Sequence, residues 1–266
     1  MGLVFVAGSF IPPHGFDLYA YWIVGLDPYA AAEPGTRGLG TFLYLPPIAI
    51  VLAPLSALAW EAVVVAWLGL QLAALWYIGR RWALALVLFP PVWLDIVYGN
   101  INILLAAVIV AGFRHPALWA LALLTKVTPG VGLVWFLVRR EWRALAAVAV
   151  TTGLAAMVSY LVMGDGAWLK WLDTMLVAEE IVIPDGALPI PLLPRVMAAA
   201  NLVGWAGLTD RRWLVPVGVT LAMPVLWVIA FAPLVACWAL VPQATADRIR
   251  DAVTGFSIGK RSPSRP

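Results

Sequence analysis

The sequence predicts an all-α fold, a polytopic bundle of transmembrane helices with about seven to nine membrane segments. Three observations support this prediction. The 266 residues are 63% hydrophobic and only 12% charged, whereas soluble domains carry roughly 25% charged residues. The mean hydropathy is +0.93. Fifteen tryptophans and seven tyrosines fit the aromatic belts that membrane proteins place at bilayer interfaces. An ordinary soluble core is therefore excluded.

Eight apolar runs lie in one predicted membrane domain, residues 1–242, and a basic, disordered tail is predicted over residues 243–266. Helices are the expected spanning elements, because a helix satisfies its backbone polar groups internally. The first run contains Pro46, Pro47 and Pro54, which are expected to break it, so it is predicted to be re-entrant or to lie on the surface. The runs are Thr41–Ala59, Ala62–Gly79, Trp82–Tyr98, Ile101–Phe113, Pro116–Leu124, Thr128–Val138, Trp142–Met163 and Trp213–Val241.

Short clusters of basic residues set the predicted orientation. They are Arg80-Arg81, Arg114-His115 and Arg139-Arg140. Cytoplasmic loops carry an excess of Lys and Arg, so these clusters are placed in the cytoplasm. The segments over 12–45 and 164–194 are then extracytoplasmic loops of a multi-pass plasma-membrane protein. Arg211-Arg212 is the exception, because the same count of crossings places this pair outside.

Composition also limits the partners. The single Cys237 gives neither an intramolecular disulfide nor a thiol metal cluster, and His14 and His115 are too far apart in sequence for a paired helical metal site. We therefore expect no metal and no other cofactor. The net charge of +3 is spread over several loops, which argues against nucleic-acid binding. The lipid bilayer is the predicted partner.

Asp17 is the first candidate for chemistry. It follows the apolar N-terminal segment Met1–Ile11, where a carboxylate close to the membrane is costly to keep unless its charge is used. Such a group can take a proton from a hydroxyl, hold a metal or bind a polar substrate. The alternative is a solvated carboxylate that only caps the following helix.

The segment Tyr98-Gly99-Asn100-Ile101-Asn102 is the second candidate. Gly99 permits a turn between two apolar runs, and the two amides flank Ile101 at a predicted helix start. Asn is a preferred N-cap residue, so simple capping is the alternative to substrate binding. Asp95 lies one helical turn earlier and is expected to face the same cavity.

Lys126 is the third candidate, since no other charge occurs between Pro116 and Val138 and Pro129 interrupts its helix. A lysine beside a broken membrane helix suits a phosphate group, although snorkelling to the interface is the alternative. A carboxylate base, hydrogen-bonding amides and a lysine on one face of the protein could together bind a sugar and a phosphate. The predicted extracytoplasmic site residues are Asp17 as the catalytic residue and Tyr21, Asp27, Tyr29, Tyr44, Asn100, Asn102 and Lys126 as substrate-binding residues.

The order of these motifs resembles glycosyltransferase family 87. The motifs are Asp17-Leu18-Tyr19 with Tyr21, Asp27-Pro28-Tyr29, Tyr44-x-Pro-Pro, Gly99-Asn-x-Asn, and Lys126-x-x-Pro before an Arg-Arg turn. The resemblance covers roughly residues 16–143. Each motif is unspecific alone, but five in the family's order are fairly specific.

This resemblance implies the architecture of C-type membrane glycosyltransferases, with an extracytoplasmic catalytic loop after the first helix and a polyprenyl-phosphate mannose or arabinose donor. Asp17 is the implied general base and Lys126 the implied partner of the leaving phosphate. Tyr29, Tyr44 and Asn100 are implied to line the donor or acceptor pocket.

The predicted function is the transfer of a hexose or pentose to an envelope glycolipid or glycan, and mannose is the expected sugar. The family's chains are longer, and Met1–Ile11 is short for a spanning helix, so a truncated family member is expected. The alternatives are a non-catalytic relative that binds lipid-linked sugar, a scaffold or a transporter. Transporters usually show inverted repeats and midplane charges, and the sequence displays neither.

Overall fold

The chain folds as a helical assembly with one small hairpin. The computed structural model describes residues 5–6, 9–10, 15–25, 27–29, 40–182 and 187–242. Strands β1 (Phe5–Val6) and β2 (Ser9–Phe10) pair antiparallel. Every other regular element in this part of the chain is helical, which confirms the all-α prediction apart from the hairpin. The predicted tail over 243–266 and part of the predicted loop over 12–45 lie outside the described residues.

The helices are short, and proline begins several of them. Proline suits the first helical position, because its missing N–H would have no partner there, and α2 and α5 both begin this way. The α-helices are α1 Phe16–Ile23, α2 Pro46–Leu52, α3 Trp60–Gly79, α4 Ala83–Val87, α5 Pro90–Tyr98, α6 Asn102–Gly112, α7 Trp119–Thr125, α8 Val134–Val138, α9 Trp142–Val182, α10 Leu192–Leu208, α11 Val215–Leu221 and α12 Ala236–Leu240. The 3-10 helices are Ala53–Ala57, Arg80–Trp82, Pro116–Leu118, Thr128–Leu133, Arg212–Leu214 and Val228–Val235.

Two helical stretches in the described residues are long and apolar enough to cross a membrane. They are Trp60–Val87, with 28 residues, and Trp142–Leu176, with 35. A third span is present if α5 and α6, bent by 115°, count as one. The other apolar helices have 10–17 residues, less than the roughly 20 that a straight span needs. These helices support a membrane protein, and the larger number of segments stays a prediction.

The predicted break in the run Thr41–Ala59 is present. Helix α2 begins at Pro46, and after Leu52 the backbone tightens into the 3-10 helix Ala53–Ala57. The segment predicted as a loop over 164–194 is largely helical. Helix α9 continues to Val182 past a kink at Gly164, where φ is 75°, and α10 begins at Leu192.

The main hydrophobic core joins α6, α7, α8, α10 and α11. Trp119 is fully buried there, and its ring lies against Gly112 and Gly132. A Cβ added at these glycines would approach the ring to 2.5 and 2.3 Å, so only glycine allows the helices to close on Trp119. This contact fixes α7, and with it the position of Lys126 at the end of α7.

A second, aromatic cluster joins α1, α2 and α3. The ring of Tyr21 lies 5.2 Å from Trp67 and 5.5 Å from Tyr44, and Phe42 lies 5.4 Å from Tyr44. Aromatic rings at such separations contribute beyond their buried area. The cluster holds α1 beside the α5–α6 bend.

Arg195 connects α10 to the end of α11. Its guanidinium donates hydrogen bonds to the carbonyls of Ile190, Leu221, Met223 and Pro224, at 2.6 to 3.0 Å. These carbonyls have no partner within a helix, and Arg195 satisfies them with a buried cation. The chain therefore breaks after α11, inside the run Trp213–Val241.

The described basic clusters lie at one end of the assembly, which we call the basic end: Arg80-Arg81, Arg114-His115, Arg139-Arg140 and Arg211-Arg212. Trp82 packs on Trp238 at 5.9 Å between ring centroids, and the Cys237 thiol contacts the Trp213 carbonyl at 3.2 Å. The guanidinium carbon of Arg212 lies 5.6 Å from the ring centre of Phe113.

The prediction that Arg211-Arg212 lies on the opposite side from the other clusters is wrong. The Arg139 guanidinium makes a 3.1 Å ion pair with Asp210, which directly precedes this pair. The count of crossings failed because the run Trp213–Val241 is broken after α11 and does not form one straight helix.

Candidate functional site

The site is built on the bend between α5 and α6. Gly99 ends α5 in the left-handed conformation, with φ 67°. The backbone N–H of Asn100 then donates to the Asp95 carbonyl at 2.9 Å. From α3, the Gln71 side chain donates to the carbonyls of Asp95 and Asn100 at 3.2 and 2.9 Å. The bend is therefore held by a buried amide as well as by its glycine.

Two carboxylate–amide pairs flank this bend. Asn100 Nδ2 donates to Asp17 Oδ2 at 2.9 Å, and Asn102 Nδ2 donates to Asp95 Oδ1 at 2.9 Å. Asn100, Asn102 and Asp95 are buried, whereas Asp17 keeps some exposed surface. Each asparagine of the Gly-Asn-Ile-Asn segment thus orients one acid, and only Asp17 retains access.

Asp95 has a capping role. Its second oxygen, Oδ2, accepts the backbone N–H of Ile103 in the first turn of α6 at 3.0 Å. A carboxylate at a helix N-terminus satisfies an otherwise unpaired N–H and faces the positive end of the helix dipole. Asp95 is therefore already used by the fold as a cap of α6.

Lys126 completes the site. It follows the last residue of α7, and its Nζ donates to Asn102 Oδ1 at 2.7 Å. Burial lowers the pKa of Lys126, and the nearby charges of Asp95 and Asp17 oppose this change by favouring the ammonium. An ammonium has three N–H donors. With one directed at Asn102, two remain for a ligand.

Asp17 lies in the first turn of α1, which begins after Gly15. The Gly15 amide donates to the Val97 carbonyl in α5 at 2.6 Å, and this contact ties α1 to the bend. Burial raises the pKa of the Asp17 carboxyl, while the hydrogen bond from Asn100 and the charge of Lys126 partly lower it. A carboxylate with a raised pKa is a stronger base than one in open water.

The tyrosines form a layer next to Asp17. The hydroxyls of Tyr21 and Tyr44 lie 2.6 Å apart, and the Tyr29 hydroxyl donates to the Tyr44 carbonyl at 2.7 Å. Burial raises the pKa of Tyr44, and the nearby Asp17 charge adds to this effect. These hydroxyls therefore stay protonated and act as hydrogen-bonding groups. Tyr29 holds the backbone of Tyr44 in place through its hydrogen bond to the Tyr44 carbonyl.

Asp27 is not brought to the site. Its exposed carboxylate forms an ion pair with Lys170 of α9, whose Nζ donates to Asp27 Oδ1 at 2.9 Å. The structure assembles the other predicted residues, Asp17, Asn100, Asn102 and Lys126, with Tyr21, Tyr29 and Tyr44 as the adjacent layer. Asn100 Oδ1 accepts the Ile101 backbone N–H at 2.7 Å, a local contact of the kind that capping provides. Capping alone does not describe the two asparagines, because their side-chain nitrogens also donate to Asp17 and Asp95.

Sequence reasoning missed Gln71. This side chain is 1% exposed and sits in the middle of the run Ala62–Gly79, which was treated as wholly apolar. A buried amide is costly unless it is hydrogen-bonded, so a lone glutamine in an apolar span was the available signal. Within the described residues, no group of three or more His, Cys, Asp or Glu side chains is arranged to hold a metal ion.

The arrangement brings a base and a cation close together. Asp17 can accept a proton from a hydroxyl, and Lys126 can bind an anionic oxygen. Asn100 and Asn102 fix these two groups through the same four-residue bend. Such a pair suits a reaction in which one oxygen loses a proton while another gains negative charge.

Comparison with known proteins gives one similar characterised enzyme. A stretch of 109 residues is 28% identical to a polyprenol-phosphate-mannose-dependent alpha-(1-2)-phosphatidylinositol mannoside mannosyltransferase of Mycobacterium tuberculosis. The match spans 36% of this chain and 26% of that enzyme, about a quarter of its length. No solved structure matches the chain.

The sequence profile of glycosyltransferase family 87 matches residues 42–256. This range includes Tyr44, Asn100, Asn102 and Lys126, and it extends well past the motifs from which the resemblance was first drawn; Asp17 precedes it. The matched range covers most of the chain, and we conclude that this protein belongs to glycosyltransferase family 87.

Proposed function

We propose that this protein is a membrane glycosyltransferase that moves a sugar, mannose first, from a polyprenyl-phosphate donor to a glycolipid or glycan acceptor. The observation that carries the proposal is that Asp17 and Lys126 both lie at the α5–α6 bend, where Asn100 binds the Asp17 carboxylate and Asn102 binds the Lys126 side chain. A base and an ammonium in one site match the two oxygens whose charge changes during transfer: the acceptor hydroxyl loses a proton, and the leaving phosphate gains negative charge.

In the proposed reaction, Asp17 takes the proton of the acceptor hydroxyl as that oxygen attacks the anomeric carbon of the donor sugar. A new carbon–oxygen bond forms, and the bond from the anomeric carbon to the phosphate oxygen breaks. The polyprenyl phosphate leaves with the bonding electrons, and the anomeric configuration inverts. The proton remains on Asp17 until it is released to water.

Lys126 would bind the leaving phosphate. Negative charge grows on the phosphate oxygens as the glycosidic bond breaks, so an ammonium there stabilises the transition state more than the ground state. The bond to Asn102 holds Nζ in place, and the reorganisation cost is therefore small. Tyr21 and Tyr44 are proposed to contact the sugar, with Tyr29 as their support. Asp27 has no part in the proposed reaction.

The proposed location is the extracytoplasmic side of the plasma membrane. Helix α6 has 11 residues, and its rise places Asn102 about 17 Å from the basic end of that helix. The positive-inside rule puts the basic end in the cytoplasm. A hydrocarbon layer is about 30 Å thick, so this distance takes the site just past the middle of the layer. We propose that the site opens toward the extracytoplasmic leaflet, where a lipid-linked donor and a lipid-linked acceptor can both reach it.

The characterised mycobacterial relative supports mannose and a glycolipid. Its name specifies a polyprenol-phosphate-mannose donor and a phosphatidylinositol mannoside acceptor. We also propose the C-type architecture for this chain. It would have more membrane segments than the two or three candidate spans in the described residues.

The test is sugar transfer in membranes that contain the full chain, with radiolabelled polyprenyl-phosphate mannose and, in a separate assay, arabinose. Asp17→Asn should lower turnover by about 10²-fold or more, because the amide cannot accept the proton. Asp27→Asn is the matched control and should retain activity, since its carboxylate is exposed and paired with Lys170.

Two results would contradict the proposal. Equal turnover of Asp17→Asn and wild type would remove Asp17 as the base. A correctly inserted wild-type chain that moves neither sugar would remove the transferase activity, and binding of the lipid-linked sugar without reaction would then be the better description.

A further inference from the structure

A depression at the basic end plays no part in the proposed sugar transfer. It lies where α8 ends and α9 begins, and it has a volume of about 530 Å³. The lining residues are Arg140, Glu141, Trp142, Arg143 and Ala144. Its position is at the other end of the helices from Asp17 and Lys126.

The charge balance in this depression is positive. The Glu141 carboxylate is paired with Arg139 at 2.9 Å, and Arg139 also binds Asp210 at 3.1 Å. Within the described residues, no carboxylate pairs with Arg140 or Arg143, and both side chains are exposed. The depression therefore offers two guanidinium groups, each able to bind phosphate oxygens in a bidentate manner.

The backbone adds to this preference for an anion. Arg140 adopts a left-handed conformation with φ 57°, which reverses the chain and leads directly into the first turn of α9 at Trp142. The positive end of the dipole of this long helix therefore faces the depression, and an anion is favoured there.

The surroundings favour a lipid as the source of the anion. Trp142 is 60% exposed at the rim, as expected for a side chain at the level of the headgroups. Further along α9, the large apolar side chains of Val150 and Leu154 are also exposed. An acyl chain can follow this apolar face, while its phosphate rests between the two arginines.

We propose that the depression at the start of α9 binds the phosphate headgroup of an anionic membrane lipid, in the leaflet at the basic end. This inference does not rest on the proposed sugar transfer, because none of the lining residues belongs to the α5–α6 site. Each of the two arginines that line the depression is expected to strengthen binding of the anionic headgroup there by about fivefold.

The experiment measures the association of spin-labelled phosphatidylglycerol with the full chain in phosphatidylcholine vesicles, relative to spin-labelled phosphatidylcholine. The wild type should prefer phosphatidylglycerol by at least about fivefold. Arg140→Gln/Arg143→Gln should reduce this preference nearly to one. Arg80→Gln/Arg81→Gln should retain it. This control removes the same charge at the same end, and it too includes one residue with positive φ.

Three outcomes would overturn the proposal. The first is the absence of any preference for phosphatidylglycerol in the wild type. The second is an equal loss of the preference in both double variants, which would indicate only a general positive potential. The third is saturable binding of inorganic phosphate to the chain in detergent without any lipid preference, which would assign the depression to a free anion. If the double variant does not insert, the single variant Arg143→Gln gives the same comparison against Arg81→Gln.

Discussion

At the scale of single residues, the hydrogen bond from Asn100 opposes the effect of burial on Asp17. Burial raises the pKa of this carboxyl, and the Asn100 bond lowers it. In Asn100→Ala, the pKa of Asp17 should rise further. A general base acts only when deprotonated, so activity is lost as pH falls through this pKa. The acid limb of kcat/KM against pH should therefore move to higher pH, with activity recovered in alkaline buffer.

The exposed Asn201, whose side-chain amide donates to the Met197 carbonyl at 2.8 Å, provides the matched control. Asn201→Ala should leave the pH profile unchanged. A uniform loss of activity at every pH in Asn100→Ala would show that Asn100 binds substrate or shapes the bend, without setting the protonation of Asp17.

Lys126 is a residue-scale test of the leaving-group end. Lys126→Gln removes the charge that meets the departing phosphate, so kcat should fall by about 10²–10³-fold. Lys126→Arg keeps the charge on a larger, planar group and should restore only part of the activity. Lys170→Gln, an exposed lysine paired with Asp27, should retain kcat. An effect of Lys126→Gln on KM alone would assign it to ground-state binding.

At the scale of elements, the α5–α6 bend depends on Gly99. A Cβ at this position would lie 2.6 Å from Leu18 Cβ, and the backbone is left-handed. Gly99→Ala should therefore destabilise the fold by about 1–3 kcal/mol. Gly153→Ala, inside α9 with no atom within 4 Å of the added Cβ, should instead stabilise the helix by about 0.5–1 kcal/mol. Thermal unfolding in detergent measures both, and equal effects would exclude strain at the bend.

Sequence reasoning identified the polar members of the bend because each is costly in an apolar chain. Asp17, Asn100 and Lys126 were found individually in this way. Their pairing was not predictable, since Asn100 meets Asp17 across 83 positions and only the packing of α1 on α5 brings them together. Gln71 was missed because the run Ala62–Gly79 was treated as wholly apolar. Asp27 was included because it lies near Asp17 in sequence, but position in a loop does not show which partner a side chain will contact.

At the scale of the whole molecule, the site and the basic end are separated along the same short helices. Asn102 begins α6, and Arg114 follows its end; Lys126 follows α7, and His115 precedes it. The two ends therefore belong to opposite sides of one assembly. Because Arg211-Arg212 also lies at the basic end, all the described basic clusters are on the same side, as the positive-inside rule requires. The count of crossings from the sequence had left this pair on the other side.

This orientation can be measured with single cysteines. In a Cys237→Ser background, which removes the sequence's one thiol, Arg211→Cys should react with a membrane-impermeant maleimide only in inside-out vesicles. Asp27→Cys, at an exposed position of the predicted extracytoplasmic loop over 12–45, should react in intact cells. The reason is that the ion pair between Arg139 and Asp210 binds the residue before Arg211 to the basic end, which we propose to lie in the cytoplasm. Labelling of both cysteines from the same side would contradict the two-ended arrangement, and with it the proposed extracytoplasmic location of the site.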